Sequence, residues 1–254
     1  MRLNTKTAGH GEPLVLLHGG MGSINHWHNN FNALAEHYTV HALDMPGYGE
    51  SPTVPKDMPK EDYVTLVFNA LNTTVPNGSL RLAGFSFGGI IAALCAARMG
   101  TRVHKLSVMG PGGFERKGPP LDLKKIPRES EGMAVMREVL AHNLRVMMIA
   151  DPAKVTEEAI DLHYANVRRT RYDGRHFSLT PGLMAKCLKE MTCPAQVIWG
   201  EGDTLCVPSI QPRVDEVRAA MPGIRVDAVK GAGHWVQYEA GAEVNRLMLA
   251  FLKN

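Results

Sequence analysis

Apolar residues fall along the chain in short unbroken runs that alternate with longer stretches of helical spacing. Leu14-Val15-Leu16-Leu17 is such a run and ends in His18-Gly19-Gly20. A strand with no polar interruption is one covered on both faces, as in a parallel sheet. Thr39 to Leu43, Leu80 to Ala83, Val103 to Met109, Ala195 to Gly200 and Ile224 to Val229 read as further strands. Between them, Phe31 to His37, Glu61 to Thr73 (Tyr63, Leu66, Val67, Ala70, Leu71), Gly89 to Met99, Ser209 to Met221 and Gly241 to Lys253 read as helices. Alternation of this kind predicts an α/β fold with a doubly wound, mostly parallel sheet and right-handed crossovers.

The rhythm breaks after Gly110-Pro111-Gly112-Gly113. Residues 114 to about 180 are charged and methionine-rich, with candidate helices at Gly132 to Met148 and Thr156 to Arg168; another, Pro181 to Glu190, follows. The segment is too long for a plain connection. It is expected to form a helical cap (114–180) inserted after the fourth predicted strand of a core built from 1–113 and 181–254, over the carboxyl ends of the strands, where such sheets hold their ligands. Met133, Met136, Met147 and Met148 could form an adaptable pocket wall or simply core.

Bulk properties narrow the field. With 254 residues, 44% hydrophobic and 21% charged, the composition is that of an ordinary globular protein. A net charge of +3, with no long Lys/Arg run, points away from nucleic acid and allows weak steering of a small anion. Cys95, Cys187, Cys193 and Cys206 form no C-x-x-C pair and no zinc-like spacing, so buried reduced thiols, a cytoplasmic setting and no metal are expected. No apolar stretch approaches a membrane span, and the first residues lack a signal-peptide core. A small-molecule substrate is the expected partner; a homodimer is compatible with the sequence.

Candidate chemistry centres on Ser86 in Gly84-Phe85-Ser86-Phe87-Gly88. By average composition a chain of this length carries G-x-S-x-G by chance about one time in twenty. The pentapeptide gains weight from its place between a strand and a helix, where the serine would sit at the apex of a sharp, strained turn. A serine hydroxyl needs a base. His234, in Gly231-Ala232-Gly233-His234-Trp235, follows the last predicted strand, and Asp203, in Gly200-Glu201-Gly202-Asp203, follows the one before. The order Ser86, Asp203, His234 suits a serine–histidine–aspartate triad at one sheet edge. Glu201 lies closer to its strand, and Asp44, in Asp44-Met45-Pro46-Gly47, reads as a structural turn. The oxyanion formed on attack requires preset donors. Phe87 is expected to supply one backbone N–H, and Gly20 the other, with Met21 as the alternative. His18 is expected to brace its loop.

Together, Leu16-Leu17-His18-Gly19-Gly20, Asp44-Met45-Pro46-Gly47-Tyr48-Gly49, the Ser86 turn and the Asp203 and His234 loops resemble the α/β-hydrolase family over nearly the whole chain. Val108 to Gly113, Gly233-His234-Trp235-Val236-Gln237-Tyr238-Glu239 with Asn245-Arg246-Leu247, and Thr156-Glu157-Glu158 are similar to the meta-cleavage product hydrolases, which cut carbon–carbon bonds in ring-opened aromatics. The resemblance implies a cofactor-independent hydrolase, with Trp235 lining the acyl pocket, although an aromatic there could equally pack under the cap; Met21 and Phe85 are expected to touch substrate as well. The chain departs from that subfamily at Phe85, where asparagine is usual, and at His163, which falls where a cap arginine would hold the substrate carboxylate. Only about one strand's worth of residues precedes Gly11, so the sheet is expected to lack one edge strand. The sequence favours carbon–carbon cleavage slightly over ester, lactone or amide hydrolysis. A ligand receptor or a cofactor-free lyase on the same fold is the rival reading.

Overall fold

The computed structural model describes residues 1–253. Its strands are β1 (Thr5–Ala8), β2 (Pro13–Leu17), β3 (Thr39–Leu43), β4 (Leu80–Phe85), β5 (Val103–Met109), β6 (Ala195–Gly200) and β7 (Arg225–Val229). Its helices are α1 (Phe31–Ala35), α2 (Lys60–Thr74), α3 (Phe87–Met99), α4 (Met133–Asn143), α5 (Glu157–Arg168), α6 (Arg175–Ser178), α7 (Leu183–Glu190), α8 (Gln211–Ala220), α9 (Val236–Glu239) and α10 (Gly241–Leu252). The seven strands form one sheet in the order β1-β3-β2-β4-β5-β6-β7. β1 alone runs antiparallel, against β3. The short N-terminal stretch thus supplies the single edge strand expected of it.

Strand order reverses at β2: the chain steps to β3 on one side, then returns to β4 on the other. A crevice opens outside the carboxyl ends of strands at such a reversal. The register carries that edge across the sheet, pairing Leu17 with Gly84, Phe85 with Met109, Met109 with Ile198 and Gly200 with Val229. The loops carrying Gly20, Ser86, Asp203 and His234 therefore emerge along one line.

Alternation along the buried strands divides the core in two. Val15, Leu17, Leu82, Val108 and Trp199 face α2, α3, α7 and α8. Leu14, Leu16, Ala83, Met109 and Ile198 face α1, α10 and the buried sides of α4 and α5. Met136 and Met148 belong to this second core, whereas Met133 is exposed.

The helix predicted for 132–148 is not continuous. Its α-helical part ends at Asn143, and Leu144–Met148 winds as a π turn closed by Ile149 N–H to Leu144 O at 2.9 Å. Packing explains the break. The widened turn delivers Met148 O to Trp235 N–H (2.7 Å) and Met147 O to Thr204 Oγ1 (3.3 Å), as π turns beside functional loops commonly do.

Asp44 proves to be a brace at the end of β3. Its buried carboxylate accepts from Asn4 Nδ2 (2.7 Å), Ile24 N–H (2.8 Å) and Glu50 N–H (2.9 Å). Asp44→Ala strands those donors and is expected to cost about 3 kcal/mol, or roughly 6–12 °C of Tm at this size. A thermal melt within about 2 °C of wild type would contradict the assignment.

Candidate active site

β4 passes into α3 at Ser86, whose backbone takes φ 50° and ψ −114°. Positive φ at a non-glycine residue is strained and must be held by its surroundings. Two close approaches hold it. A Cβ on Gly84 would lie 2.3 Å from Gly88 O, and one on Gly88 would lie 2.2 Å from His18 O. Only glycine lets strand, helix and the loop after β2 meet this tightly. Ser86 N–H extends the ladder to Met109 O (2.9 Å), while Ser86 O receives Gly89 N–H and Ile90 N–H. The helix accordingly begins two residues earlier than its apolar spacing suggests.

His234 and Asp203 reach this point from their own loops. His234 Nε2 stands 3.0 Å from Ser86 Oγ, and His234 Nδ1 stands 2.8 Å from Asp203 Oδ2. Asp203 Oδ1 accepts Leu205 N–H at 2.9 Å. His234 and Asp203 are 3% and 4% exposed, and Ser86 is half-buried. Burial pushes the Asp203 carboxyl up, but attraction to His234 and hydrogen bonds from His234 and Leu205 hold it below the usual carboxylate range. An ionised Asp203 accepts the hydrogen bond of His234 Nδ1–H, which keeps the imidazole proton on Nδ1 and leaves Nε2 with a bare lone pair toward the Ser86 hydroxyl. Such a series can move the hydroxyl proton to the imidazole and steady the cation that results.

Phe87 is the first residue of α3, and a Cβ on Gly20 would lie 3.8 Å from Phe87 Cβ. Among the described residues no acceptor takes the N–H of Gly20, Met21 or Phe87. Met21 has φ 47° and is 37% exposed. Phe85 is buried with its ring 5.0 Å from His234. Trp235 is buried, stacks 4.3 Å from Tyr238 and donates Nε1–H to His26 O. His163 is buried on α5. His18 braces the loop after β2, accepting Met45 N–H at Nε2 (2.9 Å) and lying 2.7 Å from Gly19 O at Nδ1. No cluster of three or more His, Cys, Asp or Glu suited to a metal occurs among the described residues.

Glu239 is a site residue that spacing did not single out. Its buried carboxylate accepts Gly233 N–H (2.6 Å), Ala150 N–H (3.0 Å) and Asp151 N–H (2.7 Å). It therefore ties the loop carrying His234 to the chain leaving the π turn. These bonds join backbone groups far apart in sequence, which no periodicity reports.

Three histidines lie buried around the loop after β2. Burial lowers His18, against the pull of Gly19 O and Asp44, lowers His26 well below 6.5, and takes His163 down to about 4. Unfolded histidine gains its proton near 6.5, whereas folded His163 resists until about 4, so the unfolded chain binds more protons between those values and stability falls on acidification. For His163 alone the loss is on the order of 3 kcal/mol. Denaturant melts are expected to show the midpoint dropping steeply from about pH 6.5 to about 4, less so in His163→Gln. A flat midpoint over that range contradicts buried neutral histidines.

The alpha/beta hydrolase family model matches residues 14–247. A 2-hydroxy-6-oxononadienedioate/2-hydroxy-6-oxononatrienedioate hydrolase of Burkholderia vietnamiensis is 30% identical over 100% of this chain and 91% of its own. Two solved structures share the architecture. The enol-lactonase of Burkholderia xenovorans LB400 superposes with TM-score 0.78 at 20% identity, covering 99% of this chain and 96% of that one. The meta-cleavage product hydrolase CumD of Pseudomonas fluorescens IP01 gives TM-score 0.74 at 22%, covering 99% and 94%. With the sheet order, the strained serine turn and a family match spanning nearly its whole length, this chain belongs to the alpha/beta hydrolase family and is a hydrolase.

Proposed function

We propose that the protein is a cofactor-independent serine hydrolase of small, partly apolar carbonyl compounds. The observation that carries this reading is the unbroken series Ser86–His234–Asp203, at 3.0 and 2.8 Å. Ser86 Oγ attacks the carbonyl carbon while His234 Nε2 takes its proton; Asp203 fixes the imidazole tautomer and stabilises its cation. The N–H groups of Phe87 and Gly20 receive the oxyanion, each worth about 10²–10³ in rate. His234 then protonates the leaving group, and the acyl group on Ser86 is released by water that His234 activates. The segment 114–180 serves as the lid, and Met21, Phe85, Trp235 and His163 border the pocket. The four buried free cysteines suit a cytosolic setting.

The bond broken follows from what surrounds the acyl pocket. The Burkholderia vietnamiensis relative acts on a dienedioate, and holding a buried carboxylate calls for a cation, best a guanidinium. The arginines near the end of α5 are engaged elsewhere. Arg168 pairs with Glu129 (2.5 Å) and Arg169 with Glu50, and Arg171 donates to the carbonyls of Gly49 and Ser51. This favours an ester or lactone, which needs only acyl-enzyme turnover, over a ring-fission dienoate, whose carbon leaving group must first be ketonised.

A fluorophosphonate is expected to label Ser86, with labelling lost in Ser86→Ala and His234→Ala. p-Nitrophenyl esters should turn over, with kcat lowered by at least about 10³-fold in His234→Ala, while a ring-fission dienoate is bleached slowly or not at all. Failure of labelling and of ester turnover in the wild type would contradict the hydrolase reading; rapid bleaching of the dienoate would restore the carbon–carbon reading.

A further inference from the structure

α5 lays His163 and Asn166, one turn apart on its buried face, against the loop that follows β2. Ser23 Oγ accepts Asn25 N–H and donates to Asn166 Oδ1 at 2.6 Å. That leaves Asn166 Nδ2 with no acceptor among the described residues. His26 Nδ1 accepts Gly19 N–H at 3.1 Å, so its proton resides on Nε2, which is also buried and unpartnered. His163 Nδ1 is a third open position. Asn166, His26 and His163 are 0%, 1% and 3% exposed. Buried polar atoms are almost always paired; of the nine side-chain atoms left open among the described residues, these three stand on two facing segments and give them an unpartnered polar surface.

The surface adjoins the candidate active site. The His26 ring lies 5.0 Å from Trp235 and 5.1 Å from Phe85, and Phe85 in turn lies 5.0 Å from His234. Gly19, which His26 holds, precedes Gly20. The groups are also neutral. Burial keeps both histidines uncharged near pH 7, and Arg168 and Arg169 are neutralised by Glu129 and Glu50.

We propose that His26, His163 and Asn166 form a subsite for an uncharged oxygen acceptor, a ketone or ether oxygen carried on the acyl part of the substrate. The proposal rests on the hydrolase reading above. His26 Nε2–H and Asn166 Nδ2–H donate, and His163 completes the set through its Nδ1–H tautomer. A ketone meets these donors with little desolvation, whereas a carboxylate would be buried without a countercharge. A site built to bond an oxygen also rejects the analogue that lacks it, since its own polar groups are then left open.

Three p-nitrophenyl esters of matched length test this on the wild-type enzyme: pentanoate, with no second oxygen; levulinate, with a ketone; and hemisuccinate, with a carboxylate. Levulinate is expected to exceed pentanoate in kcat/KM by at least about tenfold, and hemisuccinate to fall below pentanoate by a similar factor. In Asn166→Leu and in His163→Leu the levulinate-to-pentanoate ratio should move toward one. Pentanoate turnover with no preference for levulinate, or with hemisuccinate best, overturns the subsite and leaves the hydrolase reading standing. No turnover of any ester, with Ser86 unlabelled by fluorophosphonate, overturns both.

Discussion

At Ser86 the main chain must leave a strand and enter a helix within a single residue, and it does so only because no side-chain carbon stands at positions 84 and 88. Gly84 would otherwise drive a Cβ to 2.3 Å from Gly88 O, and Gly88 would drive one to 2.2 Å from His18 O. The strained φ of 50° is therefore held by three backbone segments in contact: β4, the first turn of α3 and the loop after β2. The geometry of the candidate site descends from this contact. It lifts the serine hydroxyl out of the sheet edge, leaves Phe87 N–H free at the start of a helix, and sets the Gly20 loop beside it. The strain at Ser86 is held by the packing of the surrounding sheet and helices.

The second layer of order comes from where the chain after α4 is fastened. Met147 O and Met148 O bind the loops of Asp203 and His234, and Glu239 holds Gly233, Ala150 and Asp151 by their N–H groups. The middle of the inserted segment is thus bound to the same backbone that positions the imidazole. α5 approaches from the other side, through Ser23 and Asn166. On the proposed reading, the elements that shape the acyl pocket and those that aim His234 share hydrogen bonds, so reshaping one disturbs the other.

What could be read in the sequence was local. Each central strand announced itself as an apolar run because both its faces are buried, and the reactive loops stood out because close backbone approach demands glycine after each run. The bracing roles of Asp44 and His18 followed from their places at strand ends. What remained hidden was contact between distant segments. Nothing in the spacing of 132–148 marks the π turn, since it forms to satisfy Thr204 and Trp235. The role of Glu239 depends on backbone groups 6, 88 and 89 residues away. His26 looked like one histidine among 11; its buried, unshared Nε2 depends on packing by residues distant in sequence, Phe85 and Trp235 among them.

On the proposed reading, Ser86 and His234 act as one unit through a shared proton. A thermodynamic cycle of Ser86→Ala, His234→Ala and the double variant, read as kcat on a p-nitrophenyl ester, measures that directly. The double variant is expected to be no slower than the slower single variant, within about threefold, because either change alone removes the whole function. Losses that multiply across the two positions would mean that serine and histidine contribute independently, and would contradict that reading.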